Sequence, residues 1–118
     1  MRVVISDDHQ MFREGLKRLL EMEPNVEVVG ESDNGDQLLK DIFSLKPDLA
    51  ILDISMPGPG AAGILKALDE KGCGCKTLAL TMHLEPSFAR QLLELGMSGY
   101  VVKDAAFDEL LLALNTIS

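Results

Sequence analysis

Short apolar runs recur along the chain at regular intervals. They cover residues 2–6, 26–30, 48–53, 77–81 and 99–103, and each is dominated by aliphatic or β-branched residues. Runs of this length and composition are typical of strands that are buried on both faces of a parallel sheet. The pattern therefore predicts five strands.

An amphipathic segment with helical spacing follows each predicted strand, at residues 11–23, 35–45, 61–72, 85–96 and 106–117. A proline or glycine closes each of the first four, as expected at helix ends: Pro24, Pro47, Gly72 and Gly96. In the first segment one apolar side is expected to contain Met11, Phe12, Gly15, Leu16, Leu19, Leu20 and Met22.

The strict alternation of strand and helix predicts an α/β fold. Such units build a parallel sheet with helices on both faces and right-handed crossovers. Five strands in 118 residues suit the flavodoxin-like (βα)5 three-layer sandwich, with strand order 2-1-3-4-5. We expect a single domain spanning residues 1–118.

Composition and charge narrow the classes of partner. The formal net charge of -8 argues against direct binding of nucleic acid, which needs clustered Lys and Arg. We see no apolar run long enough to span a membrane and no signal peptide, so we expect a cytoplasmic location. Cys73 and Cys75 stand without His or Cys companions nearby, and we expect two reduced thiols.

Polar residues gather where the predicted strands end. Asp7 and Asp8 follow the first strand, Asp53 ends the third, Thr81 ends the fourth and Lys103 ends the fifth. Ligands of such sheets bind beyond these ends, where the strand order reverses between strands one and three. Two carboxylates about 4–5 Å apart repel by roughly 3–4 kcal/mol at an effective dielectric near 20, so the group needs a cation. Mg²⁺, which prefers oxygen ligands, fits best.

Asp53 is also a candidate nucleophile. A carboxylate can attack phosphorus and form an aspartyl phosphate, while the Thr81 hydroxyl and the Lys103 ammonium hold the phosphoryl oxygens. Taken singly, each residue has an ordinary explanation, such as a helix cap, a loop position or a solvated charge. Their joint placement at one edge of one sheet favours a shared site.

Several stretches carry a resemblance to a known family: "DDH", "REGL", "VVGESDNG", "PDLAILDISMPG" and "SGYVVKDA". In this order they resemble the receiver domain of bacterial two-component response regulators. The stretches "DDHQMFREGLKRLL" and "GMSGYVVKD" are similar to receivers attached to LuxR-type helix-turn-helix output domains. No basic DNA-reading segment follows, so we expect the output domain to be absent from this chain.

The resemblance implies a role for each residue. Asp53 would accept a phosphoryl group from a sensor histidine kinase, and the Ser55 backbone carbonyl would join Asp7, Asp8 and Asp53 around Mg²⁺. Tyr100 would rotate inward with Thr81, changing the surface of helix 4, strand 5 and helix 5. The implied outcome is a signalling switch for transcription, not an enzyme, with possible homodimerisation on phosphorylation.

Two departures from the family pattern keep an alternative open. After residues 56–58 the family usually has one or two residues, a glycine and then an apolar helix start. This sequence has Pro59–Gly63 there, so a rearranged or longer loop is expected. Met82 stands where the family usually has a small residue. The alternative is a pseudo-receiver, an interaction module that no longer accepts phosphate.

An enzyme with an aspartyl intermediate would need a cap domain and an acid. His9, the nearest candidate acid, is expected at the rim. A flavin carrier would need a phosphate-binding loop where the acidic "SDDHQ" stands.

Overall fold

The protein is described by a computed structural model covering residues 1–54, 58, 60–82, 86–103 and 109, with the backbone alone for residues 86–89. Its strands are β1 Arg2–Ser6, β2 Glu27–Ser32, β3 Leu49–Asp53, β4 Lys76–Thr81 and β5 Gly99–Val102. Its helices are α1 Gln10–Glu21, α2 Gly35–Leu45, α3 Ala61–Glu70 and α4 Pro86–Glu94. The predicted fifth helix lies outside the described residues, apart from Glu109.

The five strands form one parallel sheet in the order β2-β1-β3-β4-β5. This confirms the predicted flavodoxin-like topology. The three inner strands β1, β3 and β4 are buried along almost their whole length, whereas β2 and β5 at the edges are partly exposed. Burial on both faces explains why the inner strands read as continuous apolar runs.

Each face of the sheet has its own hydrophobic core. On one face Val3 and Ile5 pack with Leu16 and Leu20 of α1. On the other face Val4 packs in a cluster drawn from α2, α3 and the α4 region, with Leu38, Ile42, Ile64, Leu65, Leu68, Leu92 and Met97. The alternation along β1 follows from the two-residue period of a strand. Helices therefore cover both faces, as predicted.

The apolar side predicted for α1 is too wide. Leu16 and Leu20 are fully buried, but Met11 is 87% exposed and Met22 is 78% exposed. Met11 stands about 140° around the helix from Leu16 at 100° per residue, so it faces away from the sheet. Met22 caps the helix after its last turn. The buried stripe of α1 is therefore narrower than predicted and is formed by Leu16 and Leu20, which are four residues apart.

Local signals set the ends of the second and third helices. Asn34 caps α2, since its side chain accepts a hydrogen bond from the backbone N–H of Gln37 at 2.8 Å. Gly60 is the N-cap of α3, so residues 61–63 form the first turn of that helix and do not lengthen the loop. Among the helices of the described residues, none is long and apolar enough to cross a membrane.

Candidate functional site: an acidic cluster at the carboxyl ends of the strands

The strand order brings the acidic residues to one edge of the sheet. β1 and β3 are neighbours, with Ser6 opposite Leu52, so Asp7 and Asp53 follow side by side. The backbone N–H of Asp7 donates to the Ser32 carbonyl at 3.0 Å, which ties it to β2 as well. Both carboxylate side chains are fully buried. Two buried acids in this position need a positive partner.

Lys103 is that partner. It follows β5, and its side chain is 5% exposed. Its Nζ atom lies 2.9 Å from Asp7 Oδ2, 3.1 Å from Asp7 Oδ1 and 3.0 Å from Asp53 Oδ2. The ammonium therefore bridges the two buried carboxylates. The centroid of the Phe12 ring in α1 lies 4.8 Å from Nζ, which adds a cation–π contact.

The charge of Lys103 is stabilised by its neighbours. Burial acts to lower the pKa of this lysine, but hydrogen bonds to Asp7 and Asp53 and the charges of the same two groups outweigh it. The net effect raises the pKa of Lys103 above its ordinary value of 10.5. Lys103 is therefore a cation at neutral pH, and it neutralises part of the acidic cluster.

Asp8 and His9 complete the cluster at its open side. The Asp8 side chain is 35% exposed, and its Oδ1 lies 3.3 Å from His9 Nδ1. The same ring nitrogen lies 3.3 Å from Asp7 Oδ1 and 2.9 Å from Lys103 Nζ. The backbone N–H of His9 also donates to Asp7 Oδ1 at 2.7 Å. Arg13, one turn further along α1, donates to the Asp7 carbonyl and holds the turn in place.

His9 lies closer to the three carboxylates than a position at the rim of the site predicts. Its ring is 60% exposed, so it does lie at the rim, yet Nδ1 reaches all three carboxylates, with Asp53 Oδ2 at 4.0 Å. The signal available in the sequence was its position directly after Asp7 and Asp8. Because His9 is the N-cap of α1, its side chain projects from the same turn as the two acids.

The donor atoms fit a divalent cation. Asp7, Asp8, His9 and Asp53 each offer a ligand atom, and these atoms lie within 4.8 Å of one another. Asp7 Oδ2 is buried, and among the described residues no donor meets it at hydrogen-bond angles, although Lys103 Nζ forms an ion pair with it. Buried carboxylate oxygens with spare lone pairs are the ligands that Mg²⁺ prefers.

The remaining predicted residues are placed as follows. Thr81 is 3% exposed at the end of β4, where it pairs with Val102 of β5. Tyr100 lies half-buried on β5 and packs against the core on the α2 and α3 side. Met82 is 49% exposed. Ser55 lies outside the described residues.

Comparison with known proteins identifies the family. The chain matches the model of the response regulator receiver domain over residues 3–115. It is 35% identical over 118 residues to the transcriptional regulatory protein DegU of Brevibacillus brevis, with 100% of this chain and 50% of that protein covered.

Two solved structures show the same fold. The signal receiver domain of the putative response regulator NarL from Mycobacterium tuberculosis has a TM-score of 0.91 and 37% identity, covering 98% of this chain and 93% of that one. The isolated REC domain of RcsB from Salmonella enterica serovar Typhimurium was solved in the presence of the phosphomimetic BeF3⁻. It has a TM-score of 0.85 and 29% identity, and the match covers 98% of this chain and 88% of that one.

The match is to one part of the curated relatives, because the chain spans about half of their length. Within that part it extends over nearly the whole chain, and it agrees with the sheet order and with the acidic cluster between β1 and β3. The chain belongs to the family of response regulator receiver domains, the signalling switches of two-component systems.

Proposed function

We propose that this domain is a phosphorylation-controlled switch in which Asp53 accepts a phosphoryl group from the phosphohistidine of a sensor histidine kinase. The observation that carries the proposal is the Lys103 ammonium within 2.9–3.1 Å of both buried acids. It places a fixed positive charge beside the carboxylate that would be modified, as transfer of a charged group requires.

The transfer exchanges one bond for another. A carboxylate oxygen of Asp53 attacks phosphorus and forms an O–P bond, the P–N bond to the donor imidazole breaks, and the nitrogen keeps the electron pair. Bound Mg²⁺, held by Asp7, Asp8, Asp53 and the Ser55 carbonyl, would supply positive charge against the phosphoryl oxygens. Lys103 would leave its ion pair with Asp53 and donate to the new phosphoryl group.

The signal would leave the site through β4 and β5. In the proposal the Thr81 hydroxyl donates to a phosphoryl oxygen and Tyr100 turns inward, so the surface of α4, β5 and the following helix changes. Only the difference in free energy between the two surface arrangements matters for such a switch. The half-buried position of Tyr100 supports this, because a side chain between solvent and core can occupy either.

We further propose that residues 1–118 are the receiver of a longer transcription regulator, with a DNA-binding output domain outside this chain and a homodimer as its phosphorylated form. The coverage of about half of each curated relative supports the first part. One solved relative is a LuxR-family DNA-binding response regulator from Staphylococcus aureus. In this role the domain signals and does not turn over a substrate.

The test is phosphorylation with Mg²⁺ and acetyl phosphate, followed by intact mass measurement. We expect one phosphoryl adduct that needs Mg²⁺ and is absent in Asp53→Asn. Asp69→Asn, an exposed acid at the end of α3, is the matched control and should keep the adduct. If no adduct forms and beryllofluoride leaves the NMR signals of Thr81 and Tyr100 unchanged, the phospho-acceptor role is wrong and the domain is a pseudo-receiver.

A further inference from the structure

A cavity of about 740 Å³ lies at the end of the sheet opposite the acidic cluster. It reaches Met1, just before β1, and the first residues of β3 and β4, Leu49 and Lys76, whereas the acidic cluster lies where β1 and β3 end. The end of α2 and the loop between α3 and β4 form its walls, and we name it the amino-end cavity. Cavities that bind small molecules have volumes of about 300–1,000 Å³. The amino-end cavity therefore has room for a small ligand.

The charge of the cavity wall is opposite to that of the whole chain. The chain has a formal net charge of -8, but the described residues of the wall include three lysines and one acid, Lys46, Lys71, Lys76 and Asp48. The acid already has a partner, because Asp48 Oδ2 accepts a hydrogen bond from the backbone N–H of Arg2 at 2.8 Å. Cations that line a concave surface raise the local concentration of anions. The wall therefore favours an anionic ligand.

Neutralisation of the helix ends does not account for these lysines. Lys46 and Lys71 are the C-caps of α2 and α3, where a lysine can interact with the last carbonyls. Carbonyls at both ends have other donors, however. The Arg2 guanidinium donates to the carbonyls of residues 45–46, and the backbone N–H groups of residues 72–73 donate to carbonyls in the last turn of α3. Within the part of the chain that the structure describes, neither ammonium forms a hydrogen bond or an ion pair.

An aromatic surface lies beside one of these two cations. The Lys71 Nζ atom is 5.8 Å from the centroid of the Phe43 ring, which is half-buried in the wall that α2 contributes. Cys73 and Cys75 add half-buried thiols, which behave as small apolar side chains. An aromatic ligand can pack against the Phe43 ring, and an anionic group on that ligand can then reach the ammonium. The wall therefore suits a molecule that carries both a ring and a negative charge.

We propose that the amino-end cavity binds small organic anions that carry an aromatic ring, with Lys46 and Lys71 paired to the anionic group and Phe43 packed against the ring. The inference goes beyond the proposed function, because neither Mg²⁺ nor phosphorylation of Asp53 enters it. The domain would then have a second ligand site, at the far end of the sheet from the acidic cluster.

The test is an NMR titration of the ¹⁵N-labelled protein with naphthalene-2-sulfonate, an aromatic anion. The matched neutral probe is naphthalene-2-sulfonamide, which has the same ring and nearly the same size. We expect a dissociation constant of about 1 mM or tighter for the sulfonate, the ordinary scale for a ligand of about 14 heavy atoms. The sulfonamide should bind at least about threefold more weakly, because exposed ion pairs contribute modestly. Backbone signals of residues 42–49 and 71–76 should shift most.

Reversing the charge of the proposed contacts gives a second measurement. Lys46→Glu with Lys71→Glu should weaken sulfonate binding at least about fivefold and leave sulfonamide binding within about twofold, because only the charge of the wall changes. The matched control is Lys40→Glu with Lys66→Glu, which changes the net charge equally. These two lysines are exposed on the same helices and lie outside the wall of the cavity. The control should keep the sulfonate affinity within about twofold.

Three results would overturn the inference. The first is the absence of saturable shifts in residues 42–49 and 71–76 up to about 10 mM sulfonate. The second is equal affinity for the two probes, which would mean that the charge of the ligand is not recognised. The third is equal loss in the two double variants, which would report the net charge of the protein and not the cavity. The first two need no variant, so the inference is tested even if a variant does not fold.

Discussion

Replacing Lys103 by methionine should destabilise the domain strongly, because it removes the cation between two buried acids. Nζ lies 2.9 Å from Asp7 and 3.0 Å from Asp53. Coulomb's law at an effective dielectric of about 20 gives roughly 5.5–6 kcal/mol for each pair, and desolvation of the ammonium offsets much of it. Loss of one partner of a buried pair costs about 3–5 kcal/mol, and we expect a loss of this size.

The assay is urea unfolding followed by circular dichroism at neutral pH. Lys66→Met, an exposed lysine on α3, is the matched control and should lie within about 0.5 kcal/mol of the parent. Adding Asp53→Asn to Lys103→Met should recover at least about 1 kcal/mol of the loss, because one of the two buried carboxylate charges that lose the ammonium is gone. The double variant also gives an answer if the single variant does not fold.

Two results would refute this reasoning. A Lys103→Met protein within about 0.5 kcal/mol of the parent would mean that the ion pairs contribute no net stability. A double variant no more stable than the single one would mean that carboxylate charge is not the cause of the loss. Both comparisons require that the dependence of the unfolding free energy on urea concentration is the same in all variants. A changed slope would mean that the compactness of the unfolded or native state had changed as well.

Three further outcomes are expected. The pKa of Lys103 is raised on folding, so its stabilisation is complete below pH 10.5 and is lost as pH rises through the higher folded value. The difference in unfolding free energy between the parent and Lys103→Met should therefore shrink only above pH 10.5. Leu16→Ala should cost about 2–5 kcal/mol in urea unfolding, whereas Met11→Ala should cost less than about 0.5, since only the first side chain is buried; equal costs would contradict the packing of α1. Burial, with a smaller effect of Cys73, raises the pKa of Cys75 to about 12. In Cys73→Ser, iodoacetamide should alkylate Cys75 roughly 50-fold more slowly in the folded protein than in urea near pH 8. This ratio combines the smaller thiolate fraction of the folded protein with the greater nucleophilicity of a thiolate of higher pKa. Equal rates would show that the thiol is not buried.

Much of the fold was predictable because its signals are local. The apolar runs mark the strands, and Pro47, the predicted stop of the second helical segment, lies two residues after the last residue of α2, Leu45. Even the meeting of Asp7, Asp53 and Lys103 could be foreseen, since parallel strands end at the same edge of a sheet. The width of the apolar side of α1 could not, because periodicity counts Met11 without knowing where the sheet lies.

The sequence by itself determined the strand and helix order, the topology and the residues that end the strands at one edge. Only the tertiary structure decided how their charges are shared. Lys103 meets Asp7 and His9 across 96 and 94 positions of the chain, and no local pattern specifies the distance between such groups. The place of His9 among the acids depends on the turn into α1 and on a lysine delivered by β5. Separations of 2.9–3.3 Å between the polar atoms of these side chains arise only when packing brings both elements together.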